Sequence, residues 1–185
     1  MDSLRGQFLL ASPRLLDPNF RRSVVLMLEH GEEGALGVIV NRPTEVAVAT
    51  VVPDLSDVAE PRDLLFAGGP VQRNAVLFLH RPLEPDAPQL IPGVCIGQSA
   101  SLLVELAGAT PASGPHPLFR VYHGYAGWSA GQLEGELALD SWLVAPATAE
   151  LVFSELPGQL WRRCMRELGP HHALLAEEPE DPSLN

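Results

Sequence analysis

Hydrophobic residues in the first quarter of the chain come in short unbroken runs, "QFLLA" at 7–11, "SVVLMLE" at 23–29 and "ALGVIVN" at 35–41. Runs of this length, rich in Val, Leu and Ile and bounded by turn residues, predict three strands. The "HGEEGA" between the last two supplies Gly31 and Gly34 for positive backbone angles, which predicts a hairpin with a longer loop. "RPTEVAVATVVPDLSDVAEPRD" keeps no period and reads as a connection. At most it holds a short helix before Pro53, whose ring disfavours a helical Val52. Further strands are predicted at 64–67, 75–80, 92–97 and 118–125, with a helix at 99–107 that Gly108 can end from the left-handed position.

Beyond the glycines at 124–131 the spacing changes from strand to helix. It predicts a helix over about 130–139, a strand at 142–145, and helices at 148–156 and 158–168, the last closed by Gly169-Pro170. In that last helix Leu160, Trp161, Cys164, Met165 and Leu168 line one side, while Arg162, Arg163 and Arg166 point away. Strands arrive in hairpin-like runs before the helices, without regular βαβ alternation. The class is therefore α+β, with a bent mixed or mostly antiparallel sheet. Eighteen prolines and sixteen glycines fit such a sheet, because they supply its tight corners and bends. One domain over 1–175 is expected, followed by an acidic, proline-bearing mobile tail at 176–185.

Charge narrows the chemistry. Twelve cations, all arginine, face 23 carboxylates, giving a net charge of −11. The lack of lysine excludes a Schiff-base lysine, covalently held pyridoxal phosphate and a P-loop lysine, and no motif asks for another cofactor. The negative charge repels a phosphate backbone at long range, so nucleic acid is a poor partner, although Arg21-Arg22 and Arg162-Arg163-Arg166 are local basic spots. No apolar run reaches the roughly 18 residues of a membrane span, and the N-terminus lacks the pattern of a signal peptide. Cys95 and Cys164 have no C-x-x-C partner and read as two buried thiols of a cytoplasmic protein, with a single disulfide as the lesser alternative.

The candidate chemistry centres on "YHGYAGWSAGQLEGEL" at 122–137, where Gly127-Trp128-Ser129-Ala130-Gly131 is a literal G-x-S-x-G. In a small serine hydrolase Ser129 would be the nucleophile, Asp140 the acid and His171 or His172 the base. The same residues also form a capping box: the Ser129 oxygen accepting from the Gln132 N–H, and the Gln132 side chain reaching back to the Ser129 N–H. Capping is the simpler reading, because the parallel sheet and oxyanion loop of a hydrolase are not predicted. Gly131 and Gly135, four apart, would let the following helix approach a neighbour closely. Ser99 reads as another helix N-cap. "AGGPV" at 67–71 offers backbone N–H groups to an anion but has the commoner reading of a turn. The histidines, at 30, 80, 116, 123, 171 and 172, show no metal-ligand spacing. His123, beside Tyr122, Tyr125 and Trp128, is the best pocket candidate, and Arg42 can pair with an anion.

Taken together, "GQFLLASPRLLDPNFRRSVVLMLEH", "GALGVIVNRPT", "FAGGPV", "LFLH" and "YHGYAGWSAGQLEGELALDSWLV" make the chain resemble the YqgE/AlgH family of bacterial proteins, often labelled transcriptional regulators. The resemblance implies a compact α+β fold, with a bifurcated, partly barrel-like sheet flanked by helices, and no catalytic set. The family pattern has glycine where this chain has Ser129, which weighs against a nucleophile there. Its recurrent polar positions correspond to Asn41, Arg42, His123, Tyr125, Trp128, Gln132, Glu134 and Glu136. The function expected is non-enzymatic binding of a protein or small-molecule ligand in a regulatory role. Arg42, His123, Tyr125 and Trp128 are the candidate ligand-binding residues. A serine hydrolase using Ser129 and a direct DNA-binding regulator are the alternatives.

Overall fold

The computed structural model describes residues 2–55, 63–97, 99–109 and 117–177. The remainder of the connection before Asp63, the "TPASGPH" segment and residues 178–185 of the expected tail lie outside the described residues.

Among the described residues nine strands form one mixed, mostly antiparallel sheet. They are β1 (Gln7–Ala11), β2 (Val24–Gly31), β3 (Gly34–Ile39), β4 (Pro43–Ala47), β5 (Leu64–Ala67), β6 (Val71–His80), β7 (Cys95–Gly97), β8 (Phe119–Ser129) and β9 (Trp142–Pro146). The helices are α1 (Val48–Val51), α2 (Ala100–Gly108), α3 (Gln132–Ala138), α4 (Ala149–Val152), α5 (Leu160–Glu167) and α6 (Pro170–Ala176). The strand order is β4-β5-β8-β3-β2-β1-β9, with β6 also on β8 and β7 on β6. Only β5 and β8 pair in parallel among these ladders. The sheet does not close on itself, since its path ends at β4 and at β9.

Strand β8 is where the sheet divides. Its first half lies between β5 and β6, and residues 126–129 pair with β3. The split falls at Gly124, whose φ of +68° belongs to the region that favours glycine. A Cβ at Gly124 would stand 2.5 Å from the Gly69 carbonyl oxygen, so the "AGGPV" turn and β8 meet backbone to backbone. Gly68 donates to the His123 carbonyl and accepts from the Ile39 N–H, at 2.8 Å each. The glycines of that turn thus serve close packing between strands.

The first strands lack polar alternation because both sheet faces are covered. Phe8 and Leu10 enter one core with Trp161, Cys164 and Met165 of α5; Leu9 and Ala11 enter another with Trp128, Leu133 of α3 and Trp142. A third core lies between Phe78, Phe119 and Val121 and the α2 residues Leu103 and Leu106.

Several boundaries differ from the sequence reading. Gly31 pairs with Gly34, so the first hairpin is tight and its loop is only Glu32-Glu33. The connection after Arg42 opens with an edge strand, β4, whose Pro43, Glu45 and Val46 are exposed and so leave no hydrophobic pattern. The strand expected at 92–97 shortens to β7, and the helix expected at 148–156 to the single turn of α4 capped by Thr148. Gly108 is the last residue of α2 and is not left-handed. Gly169 breaks the helix as expected, with φ +123°, but Pro170 then starts a further helix, since a first-turn proline lacks only an N–H that would be unpaired anyway. Ala176 at its end is fully buried.

Candidate functional site

The corner between β8 and α3 is a continuous hydrogen-bond network. Glu136, one turn into α3, is its hub: Oε2 accepts from the indole Nε1–H of Trp128 at 2.9 Å and of Trp142 at 2.7 Å. Its Oε1 accepts from Gln132 Nε2 at 2.9 Å. The Trp rings meet edge to face at 5.8 Å, and Phe20 packs on both. One carboxylate thereby satisfies two indole donors that burial removes from water. Glu134 binds back to β2, its Oε1 3.0 Å from His30 Nε2. His30 Nδ1 accepts the Leu4 N–H at 3.0 Å, which assigns the neutral ring's proton to Nε2 and makes it the donor to Glu134. The Glu134 carboxyl is held below its ordinary pKa, first by its own backbone N–H and then by His30.

The capping box is realised in half. Gln132 Oε1 does accept the Ser129 N–H, at 3.1 Å. But Ser129 is still in the strand, and the N-cap is Gly131, left-handed at φ +74° with no side-chain cap. The Ser129 hydroxyl therefore donates to Gln132 Oε1 at 3.2 Å and does not accept from the Gln132 N–H. A nucleophile elbow concentrates its strain at the serine; here the positive φ lies two residues later. Asp140 stands exposed beyond α3. His171 and His172 are on α6, packed against each other at 5.5 Å on the face of α5, whereas α3 covers the opposite face. The sheet separates Ser129 from both histidines. At Gly131 and Gly135 a Cβ would meet nothing within 4 Å, so neither glycine serves helix packing; Gly131 serves the turn alone.

The four candidate ligand residues stand in different surroundings. Trp128 is 6% exposed and belongs to the core. His123 and Tyr125 are half-buried on β8 beside the bulged start of β6, with His123 Nδ1 3.3 Å from the Arg73 carbonyl. Arg42 donates to the carbonyls of Asn19 at 2.5 Å and Arg21 at 2.8 Å. Beside it Asn41 accepts the Val24 N–H at 2.8 Å and donates to the Arg22 carbonyl at 2.9 Å. The pair therefore pins the β1–β2 loop.

Two arginines that the sequence reading passed over occupy a more suggestive place. Arg120 is 7% exposed, lies over the Phe66 ring at 4.8 Å, and donates to the carbonyls of Val152, at 2.8 Å, and Ser154. It thereby caps the end of α4 with positive charge. Neighbouring Arg81 lies over Phe153 at 4.7 Å and donates Nε–H to the Pro117 carbonyl at 3.3 Å. Burial holds both below the ordinary arginine value, and the charge on Arg81 disfavours that on Arg120 further. The Tyr122 hydroxyl is fully buried near Arg120 without a geometrically sound hydrogen bond, and burial pushes its pKa up. The available signal was an arginine inside "LFRVY", a charge at a core-facing strand position. Arg81 borders a groove of about 1150 Å³ with Phe153, Leu156, Leu160 and the arginines of α5.

A family model described as AlgH-like matches residues 8–173. This chain belongs to the AlgH-like family. Among relatives, a UPF0301 protein of Streptomyces coelicolor is 39% identical over 199 residues, covering 100% of this chain and 97% of its own. A UPF0301 protein of Chlorobium luteolum is 43% identical over 182 residues, covering 97% and 94%. The solution structure of the AlgH protein from Pseudomonas aeruginosa superposes with a TM-score of 0.72 at 33% identity, covering 96% of this chain and 95% of that one. A crystal structure from Corynebacterium diphtheriae gives 0.77 at 26% identity, covering 94% and 91%. The AlgH-like fold thus extends across the β8 fork and both helical faces. None of these names states an activity.

Proposed function

We propose that this AlgH-like chain acts by binding a protein or small-molecule ligand, in a regulatory role in the cytoplasm, without covalent catalysis at Ser129. The observation that carries the reading is the Ser129 hydroxyl, donated to Gln132 and separated by the sheet from His171 and His172. The large groove beside α5 supports binding as the activity. Two free, buried cysteines favour a reducing compartment, and among the described residues no helix is long and apolar enough to cross a membrane. The net charge of −11 and the carboxylates Glu150 and Glu167 on Arg163 disfavour DNA as the partner.

A fluorophosphonate probe tests this directly, because Ser129 is exposed enough to be reached. No labelling is expected; labelling that disappears in Ser129→Ala would establish a nucleophile instead. A duplex DNA titration at low salt is expected to show no saturable binding, and tight binding that weakens steeply with added salt would favour the DNA-binding alternative.

A further inference from the structure

The groove beside α5 contains charges that the protein does not balance locally. Arg163 bridges Glu150 at 2.7 Å and Glu167 at 3.2 Å, and Arg166 pairs with Glu177 at 2.6 Å. Arg81 and Arg162, which line the same groove, have no ion pair with a described carboxylate. Arg81 is the better placed of the two. Its guanidinium is fixed on the Phe153 ring and by the Pro117 carbonyl, which engages Nε and leaves the terminal N–H groups available. A planar guanidinium held this way has already lost much of its side-chain freedom, and it presents two parallel donors to a planar acid. Next to it Leu156 is 60% exposed, while Phe153 and Leu160 are buried beneath the groove wall. Glu155 is the one lining carboxylate with no ion pair to a described residue.

We infer that this groove is a binding site for an amphipathic organic anion, a carboxylate or phosphate monoester on an apolar body, with Arg81 gripping the acid and the exposed Leu156 receiving the body. The inference rests on the reading of this protein as a binder and gives that reading a ligand class. The acid is seated against an aromatic-backed arginine where water is partly excluded, which strengthens the charge-assisted contact. Arg162 adds attraction at the rim. Glu155 opposes it, so the site carries its own negative control.

The probe is 2-naphthoate, followed by amide shifts of the full chain in nitrogen-15-labelled NMR spectra, with neutral 2-naphthylmethanol alongside. Saturable shifts are expected at Arg81 and across 153–167, with the alcohol at least about tenfold weaker. Arg81→Ala should weaken naphthoate by about tenfold or more. Glu155→Gln should tighten it and Arg162→Gln weaken it, each by a factor of about two to five, as fits exposed charges. These two surface substitutions decide the matter even if Arg81→Ala does not fold. Equal binding of acid and alcohol, absence of saturable shifts in this segment, or unchanged affinity in both Glu155→Gln and Arg162→Gln would overturn the site. Such a failure with Ser129 unlabelled would leave the binding reading intact with another ligand; labelled Ser129 with intact naphthoate binding would overturn only the exclusion of catalysis.

Discussion

Replacing Glu136 with Ala should destabilise this chain more than any change at Ser129. The carboxylate receives the indole protons of Trp128 and Trp142 on one oxygen and the Gln132 amide on the other. Trp128 is 6% exposed and Trp142 3%, so neither indole can turn to bulk water when the acceptor is lost. A buried donor left without a partner costs about 1–3 kcal/mol, and two of them set the expected loss at about 2–6 kcal/mol. For a chain of this length that corresponds to a fall in Tm of roughly 4–24 °C. Glu136→Gln should cost less, about 1–2 kcal/mol, because an amide oxygen can still accept both indoles while its NH2 opposes the Gln132 donor. Urea denaturation monitored by tryptophan fluorescence reads both values. Trp142→Phe, made in the Glu136→Ala background, should cost less than it does alone, since its donor has already lost its acceptor. A loss below about 0.5 kcal/mol for Glu136→Ala, or strict additivity in that cycle, would refute the hub.

Ser129→Ala should cost only about 0.5 kcal/mol or less, since its exposed hydroxyl is a second donor to an oxygen already engaged by the Ser129 N–H, and urea unfolding reads the difference. Gly135→Ala, in the exposed interior of α3 with open space at its Cβ, should stabilise by about 0.5–1 kcal/mol. Gly124→Ala should instead cost more than about 2 kcal/mol, because it combines positive φ with a backbone oxygen 2.5 Å from the new carbon. The Cys164 thiol is pushed up to about 12, first by burial and then by Glu167. The unfolded thiol releases its proton near pH 8.5 while the folded one keeps it, so stability from this group falls as pH rises from there to about 12. Cys164→Ala should flatten that part of the stability–pH curve whatever its baseline, and an unchanged slope would contradict the assignment.

The β1–β3 strands were legible because both faces are buried, which turns them into unbroken apolar runs that few other elements imitate. The fork was implied by the family resemblance but not by the local pattern, since β8 runs on through Gly124 and Gly127, residues that normally signal an end, and continues because β3 offers it a second partner. β4 was hidden for the opposite reason: as an exposed edge strand it buries too little to leave a pattern. At the candidate site, the local Gln132-to-Ser129 contact could be read from spacing alone, but the Glu136 hub could not. Its donors come from β8 and β9 on either side of α3, and only the folded chain brings two indoles to one oxygen. Arg120 escaped because its partners are the carbonyls of Val152 and Ser154, which every residue possesses and no motif marks.

Sharing β8 between two half-sheets also sets an order of assembly during synthesis. Gly34 pairs with Ser129 and Gln7 with Pro146, so the β1–β2–β3 meander has both flanks unpaired until most of the chain has left the ribosome. At about 5–20 residues per second the wait lasts several seconds or more, during which two apolar strand edges are open to other nascent chains. Closure of β8 onto β3 is then a long-range step, expected to be slow, and it covers the β3 edge alone, leaving the β1 edge open until β9 arrives. Truncation before residue 126 should therefore yield a chain that aggregates, even though it retains three of the best-formed strands.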